Sequence, residues 1–473
     1  MVDVSTPTRR TPRTRTRTWA VVFAACVGQF LVVLDVSVVN VALPSMRTDL
    51  GLSTAGLQWV LNAYSIAFAG FMLLGGRAAD IYGRKRMFLV GLGLFTAASL
   101  AGGLAQEGWQ LLAARAAQGL GAAVLAPATL TLLTAAVPEG PARTKAIGTW
   151  MAVGAGGGAT GGLIGGVLTD TLSWRWVLLI NVPVGILVLT GAAIWLAEGR
   201  TGERSRIDLP GALLVTAGLA SIAYGIVQTE ESGWTASATL VPLLAGPALL
   251  ALFVLVESRT KKPLMPLRVL GARAVASANV AMLVIGSATF SMWYFMTVYA
   301  QNVLGYTALE AGLALMPTSV AVVVGSKCAP RLMARVGAKN LALVGTVVAA
   351  AGFGWQSTMT ADGSFLTAIC LPGVLMMAGT GLAATPLASL ATSGAAPGES
   401  GLVSGLVNTS RTMGGALGLA VLSTVAAART AGGTGPADLT AGYALAFRTS
   451  GSVLLGGLLL MILWLPRHRS VRR

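Results

Sequence analysis

Fourteen stretches of about twenty mostly apolar residues run through this chain, and nothing else in it constrains the fold as strongly. Their approximate limits are 19–43, 55–76, 87–106, 110–136, 144–169, 174–197, 209–229, 237–256, 273–301, 307–328, 338–358, 364–388, 401–427 and 442–465. A helix rising about 1.5 Å per residue crosses the ~30 Å hydrocarbon core of a bilayer in about twenty residues. In lipid each crossing segment must satisfy its own backbone polar groups, which selects helices for runs of this length. Of the 473 residues, 55% are hydrophobic and only 11% charged, against about 25% charged in soluble domains. The 60 glycines suit helices that must approach closely without a hydrophobic drive between them. The expected fold is an all-α membrane protein with 14 transmembrane helices.

The positive charges predict how those helices are oriented. Arg9, Arg10, Arg13, Arg15 and Arg17 precede the first span; Arg77, Arg84, Lys85 and Arg86 follow the second. With the other connections on the same side and the C-terminal tail, 27 of the 33 Lys and Arg residues fall on one face. By the positive-inside bias this places both termini in the cytoplasm of a multi-pass inner-membrane protein, which requires an even number of spans. The net charge of +16 is then a topology signal, and nucleic acid is not an expected partner. The N-terminus mimics a signal peptide, and FAAC (23–26) hints at a lipoprotein site. The apolar run before Cys26 is short and continues to Leu43, so it reads as an uncleaved first span. Three scattered cysteines and the single His468 predict no disulfide framework, metal site or other cofactor.

The chain also echoes itself. GGRAADIYGRKRMFLVGLGLF (75–95) aligns with APRLMARVGAKNLALVGTVVA (329–349) on Gly83 and Gly337, each opening a Gly-x-Lys turn before an apolar run. AQGLGAAVLAP (117–127) echoes AGTGLAATP (378–386). The expected organisation is a basic tail (1–18), a six-helix bundle (19–200), two inserted helices with their linkers (201–270), a second six-helix bundle (271–466) and a basic tail (467–473). Two repeats around a shared cavity is the architecture of an alternating-access carrier.

Several motifs carry a resemblance. LDVSVVNVALP (34–44), G-x-x-x-D-x-x-G-R-K-R (76–86), RAAQGLGAA (115–123), GAGGGATGGLIGG (154–166) and WRWVLLINVPVG (174–185) occur in this order. In these motifs and its span count the chain resembles the fourteen-span drug:proton antiporters of the major facilitator superfamily. It departs from the usual pattern at Gly161-Gly162, where Gly-Pro is common, and at Ile81, where a basic residue is common. The resemblance implies a cytoplasmic gate motif at Gly76, Asp80, Gly83, Arg84, Lys85 and Arg86. It implies an antiporter motif at Gly154, Gly158, Gly161, Gly162, Gly165 and Gly166.

The sharpest single feature is Asp35, inside the first apolar run. An acid at a helix centre in lipid costs roughly 2.5–3.5 kcal/mol on insertion scales. Arg115, in the fourth span, falls at a similar depth from the same surface, about 8 Å against about 12 Å by helix rise. Two readings stand: an ion pair that pins two helices, or a proton site on Asp35 with Arg115 governing its proton affinity. Arg411, beside Asn408 in span 13, has no intramembrane acid in its own half to pair with. Candidates for the wall of a substrate cavity are Asn40, Gln58, Asn62, Tyr64, Gln118, Met292, Trp293, Tyr294, Tyr299, Asn408 and Arg411, since aromatic, Met and amide groups suit varied amphipathic ligands. The chain therefore reads as a monomeric, proton-coupled exporter of small amphipathic compounds such as antibiotics, biocides or secondary metabolites. Its partners would be that cargo, protons and the bilayer. A symporter, or an exporter of one specific metabolite on the same fold, is the alternative. No P-loop, HExxH or nucleophile elbow supports an enzyme.

Overall fold

The computed structural model describes residues 18–138, 141–196, 208–260, 263, 267–393, 400–430 and 432–466. Most of both basic tails and the linkers at 197–207 and 394–399 lie outside the described residues. Among those described, all regular structure is helical, and fourteen helices are long and apolar enough to cross a membrane. They are α1 (Thr18–Leu50), α2 (Ala55–Ala79), α3 (Arg84–Gly103), α4 (Gly108–Ala136), α5 (Lys145–Thr171), α6 (Trp176–Trp195) and α7 (Leu209–Thr229). Then follow α8 (Ser237–Arg259), α9 (Arg273–Asn302), α10 (Ala308–Val336), α11 (Ala338–Gln356), α12 (Leu366–Thr392), α13 (Leu402–Thr430) and α14 (Pro436–Trp464). Each expected stretch falls on one of these spans, and several run longer than expected; the sixth is interrupted at Ile180 and the tenth at Leu315, and the twelfth opens with a π-helical turn. At 33 residues, α1 is about 50 Å long and outreaches the hydrocarbon layer.

Helices α1–α6 pack with one another, and so do α9–α14. The repeat seen in the sequence has a physical basis at the end that carries the basic loops. Gly83 (φ 104°) and Gly337 (φ 83°) both take a left-handed turn that a side chain would strain. Two residues on, Lys85 donates to the Ala193 carbonyl at the end of α6 (2.8 Å), and Lys339 donates to the Ile462 and Leu465 carbonyls at the end of α14 (2.8 and 2.7 Å). In each bundle, a lysine at the start of the third helix thus caps the C-terminus of the sixth, where unpaired carbonyls and the helix dipole favour a cation. The glycine contacts repeat too. A Cβ at Gly91 or Gly121 would strike the facing backbone of α4 or α3, and one at Gly345 or Gly379 that of α12 or α11. We expect Lys85→Met and Lys339→Met each to cost about 1 kcal/mol, seen as a lower unfolding temperature of the purified protein. Unchanged unfolding in both would show the caps to be incidental.

The two halves meet along two seams. In one, α2 lies against α13 along most of its length: Ala55 and Trp59 near Ala420, Ile66 near Ala416, Ala69 near Met413, and Leu73 over Gly405. In the other, α5 lies against α10. The inserted α7 packs on both α2 and α13, with Thr216 against Gly70 and Thr424 donating to the Ile226 carbonyl (3.2 Å). α8 packs on α7 from outside through Gly218, Gly225 and Gly246, and it is the least buried of the fourteen.

Candidate functional site

Asp35, on α1, is 1% exposed, and so is Arg115 on α4. The arginine Nη1 donates to Asp35 Oδ2 at 2.5 Å. The other carboxylate oxygen accepts from Gln118 Nε2 (2.6 Å) and Asn181 Nδ2 (3.2 Å). Both amides also reach Ser99 Oγ, at 2.8 and 3.4 Å. The guanidinium donates further to Gln118 Oε1 (2.6 Å) and to the Val60 carbonyl (3.0 Å), and it stacks over the Tyr64 ring at 4.4 Å. Five helices, α1, α2, α3, α4 and α6, therefore converge on one charge-neutral centre, with the carboxylate facing neither lipid nor bulk water.

Depth set by helix rise does bring the acid and the base together. Gln118 and Tyr64, expected on a cargo wall, belong to the centre itself. Asn181 and Ser99 were not foreseen. Asn181 sits in the hallmark run WRWVLLINVPVG, where an amide amid apolar residues was a usable signal. Ser99 also bonds to its own i−4 carbonyl at Phe95 (2.8 Å), the ordinary habit of a helical serine, so nothing in the sequence singled it out.

Other polar groups of α1 and α2 are buried without partners. Gln58 and Asn62 are fully buried, and neither atom of either amide has a hydrogen-bond partner; Asn40 Oδ1 has none either. Gln58 and Asn62 stand one helical turn apart. They lie beside the strip of α2 that meets α13 and away from the strip bearing Val60, Tyr64 and Gly75, which meets α4. Each unpartnered buried amide costs on the order of 1–3 kcal/mol, so such groups call for a function. Met292, Tyr294 and Tyr299 are buried and Trp293 half-buried. The Tyr299 hydroxyl donates to the Thr360 carbonyl (2.7 Å). Arg411 is exposed and donates to Asn408 Oδ1 (3.2 Å), while Asn408 Nδ2 donates across the seam to Met72 Sδ (3.3 Å).

The glycines of α5 split into two strips. A Cβ on Gly154, Gly158, Gly161 or Gly165 would meet Gln29, Val33, Ser37 or Val38 of α1, the helix that carries Asp35. Ser37 Oγ fastens this face by donating to the Gly158 carbonyl (2.9 Å). Gly162 and Gly166 instead face Gly312 and Leu309 of α10, in the other half. At that same end the Asp170 carboxylate accepts from the Ala308 and Leu309 amides (3.2 and 2.8 Å), capping α10 across the seam, and Gln301 Nε2 on α9 donates to the Val41 carbonyl on α1 (2.8 Å). No comparable packing joins α4 to α12 toward the basic end among the described residues. Of the gate motif, Gly76 lies opposite Pro127, Gly83 makes the positive-φ turn, Arg84 is half-buried, Arg86 is exposed, and the side chain of Asp80 lies outside the described residues. The WRW residues clamp the opposite end: Trp174 Nε1 and Arg175 Nη1 both donate to Asp49 Oδ2 (2.9 and 2.6 Å).

Three kinds of comparison with known proteins agree. A family profile for the Major Facilitator Superfamily matches residues 25–419. The chain is 50% identical over 444 residues to the cephamycin export protein CmcT of Amycolatopsis lactamdurans, covering 93% of this chain and 91% of that one. It is 39% identical over 452 residues to the puromycin resistance protein pur8 of Streptomyces alboniger, covering 94% and 90%. Among solved structures, a bacterial homologue of the human lysosomal transporter Spinster, in an inward-facing and unoccupied conformation, matches with a TM-score of 0.68. The match covers 96% of this chain and 99% of that one at 18% identity, a likeness of fold alone.

Proposed function

Because this chain belongs to the Major Facilitator Superfamily and is a membrane transporter, not an enzyme, we propose that it exports small amphipathic organic compounds, antibiotics among them, in exchange for protons. The single observation that carries the coupling is the buried Asp35–Arg115 centre. Relatives named for cephamycin export and puromycin resistance support the class of cargo.

In this mechanism Asp35 is the proton carrier. A proton taken by its carboxylate forms an O–H bond, removes the negative charge and ends the ion pair. Arg115 then remains a buried cation held by Gln118, the Val60 carbonyl and the Tyr64 ring, with no counter-charge. Leaving one member of a buried pair without its counter-charge costs about 3–5 kcal/mol. That cost is relieved if α4 shifts against α1, so each global state favours one protonation state. The contacts between the halves at the Asp170 and Gln301 end, with no comparable α4–α12 packing toward the basic loops among the described residues, fit a state open on the basic side. With the basic loops in the cytoplasm, as the charge distribution favours, this is the state that loads cargo from inside. The unpartnered amides of Gln58 and Asn62, with the free Oδ1 of Asn40, whose Nδ2 donates to the Val36 carbonyl (2.7 Å), supply a polar wall between the halves. Met292, Trp293, Tyr294 and Asn408 complete it, with Arg411 at its rim.

A susceptibility panel in a pump-deficient host identifies the cargo. Everted vesicles loaded with the protein should then accumulate that compound when their lumen is acidified, and lose it when an uncoupler is added. Accumulation indifferent to the pH gradient would remove the proton from the mechanism; a panel with no protected compound would remove export.

A further inference from the structure

Arg411 is the tenth residue of α13, about 14 Å along the helix from its start. α13 meets α2 along one strip (Met413, Ala416 and Ala420) and α9 along another (Gly414 and Gly418, against Leu283 and Ser287). Of the two gaps between these strips, one is turned to α7, where Thr424 bonds to the Ile226 carbonyl. The other carries Ser404, Asn408 and Arg411, spaced four and three residues apart and so on one face. That face looks into the space between the halves, since Asn408 reaches Met72 of α2 (3.3 Å). The Arg411 side chain is open to solvent and yet set deep among protein atoms, as a group on the wall of an internal vestibule must be. One turn further along α13, the half-buried Phe290 ring of α9 lies against Gly415, and Trp293 follows on the same face of α9.

Among the described residues no carboxylate pairs with this cation, which donates only to the Asn408 amide oxygen (3.2 Å). Of the 17 acidic residues, Asp35 is taken by Arg115, and the others lie between spans or within two residues of a span end. While the vestibule is open, water solvates the guanidinium. Alternating access must close over it, and a cation stripped of water without a counter-charge is costly to bury. A cargo that brings its own anion removes that cost, and the guanidinium fork holds a carboxylate at two points. We propose that Arg411 is the anion-binding residue of the cargo site, and that the exported compounds carry a carboxylate on an apolar body, the body lying toward Phe290 and Trp293. The assignment rests on the export reading above and narrows it: amphipathic anions are cargo, and their neutral esters are poor cargo.

The test is equilibrium binding to the full-length protein in phosphatidylcholine nanodiscs, with empty nanodiscs subtracted. The probes are radiolabelled 1-naphthaleneacetate, benzylpenicillin and fusidate, three apolar bodies with one carboxylate each, and the methyl ester of each. At least one acid should bind saturably, at least tenfold more tightly than its ester. Acetate at the same concentration, with the charge but not the body, should not displace it. Arg411→Gln should bring that acid down to the level of its ester, and Arg411→Lys, which keeps the charge, should keep the preference. An arginine with a merely structural role would move acid and ester together. No acid bound, or acid and ester bound alike by the native protein, would overturn the proposal without any variant. A preference that survives in Arg411→Gln, or displacement by acetate, would overturn it as well. If the acids fail while a compound from the susceptibility panel still accumulates in everted vesicles, the anion assignment falls and export stands. If the acids bind as expected while nothing accumulates, export falls and the anion site stands.

Discussion

Asp35→Asn is expected to abolish proton-driven accumulation of cargo while leaving the protein folded in the membrane. Asparagine keeps the shape of the side chain but cannot take up and release a proton. It also removes the charge that Arg115 pairs with at 2.5 Å, and it turns one amide hydrogen toward the Gln118 and Asn181 donors. The loss of a buried counter-charge is worth about 3 kcal/mol of stability, which a chain with this much packed interface should survive. The loss of coupling is larger in its consequences. One charge moved across 100 mV supplies about 2.3 kcal/mol, or roughly a fiftyfold concentration ratio for one-for-one exchange. In everted vesicles that ratio should fall to one. Counterflow, the exchange of labelled for unlabelled cargo with no gradient, should persist because the cargo wall is untouched. Gradient-driven accumulation at the native level in Asp35→Asn would refute the proton role. Loss of counterflow along with it would make the pair a structural pin instead.

The second large effect is expected at Gly166. Its Cα faces α10 so closely that a Cβ would lie 2.5 Å from Leu309 Cα and 2.7 Å from the Ala308 carbonyl oxygen. These are backbone atoms and cannot rotate away. They belong to the first turn of α10, whose amides Asp170 caps from the other half. Gly166→Ala must therefore part the halves at this end. We expect a stability loss of about 1–3 kcal/mol, the usual cost of overpacking, and at least a tenfold fall in transport. Gly156, ten residues earlier on the same helix, has nothing within 4 Å of an added Cβ, and Gly156→Ala should be neutral or slightly stabilising. Both variants would be followed by thermal unfolding and by vesicle transport. Equal behaviour of the two alanines would show that the contact between α5 and α10 does not constrain the cycle.

What the sequence revealed, and what it hid, follows from the range of each interaction. Helix number and approximate position were legible because lipid imposes a length and an apolar content on every crossing; helix ends that run on beyond the hydrocarbon layer were not. The meeting of Asp35 and Arg115 was legible because charge in lipid is rare and depth follows from counting residues. The roles of Gln118 and Tyr64 were not, since an amide or a phenol on a membrane helix suits a cargo wall and an ion-pair shell equally well; only the rotation of α2 and α4 about their axes separates the two. Asp170 escaped notice at the end of α5, where an acid is unremarkable until the start of α10 is brought to it. Lys85 carries a topology signal like its neighbours, and its bond to the Ala193 carbonyl depends on where α6 ends in space. The two strips of α5 could not be told apart in a run of glycine and alanine, because only the neighbours give each face its meaning.

The position of α7 also breaks the near twofold symmetry of the molecule. By repeat the two seams are equivalents, but α7 and α8 shield the α2–α13 seam, whereas no helix outside the bundles covers the α5–α10 seam among the described residues. Acyl chains press directly on one joint and reach the other only through protein. A change in bilayer thickness or lateral tension is thus expected to bear on one flank before the other, so that the exchange proposed above would be sensitive to the lipid on a single side.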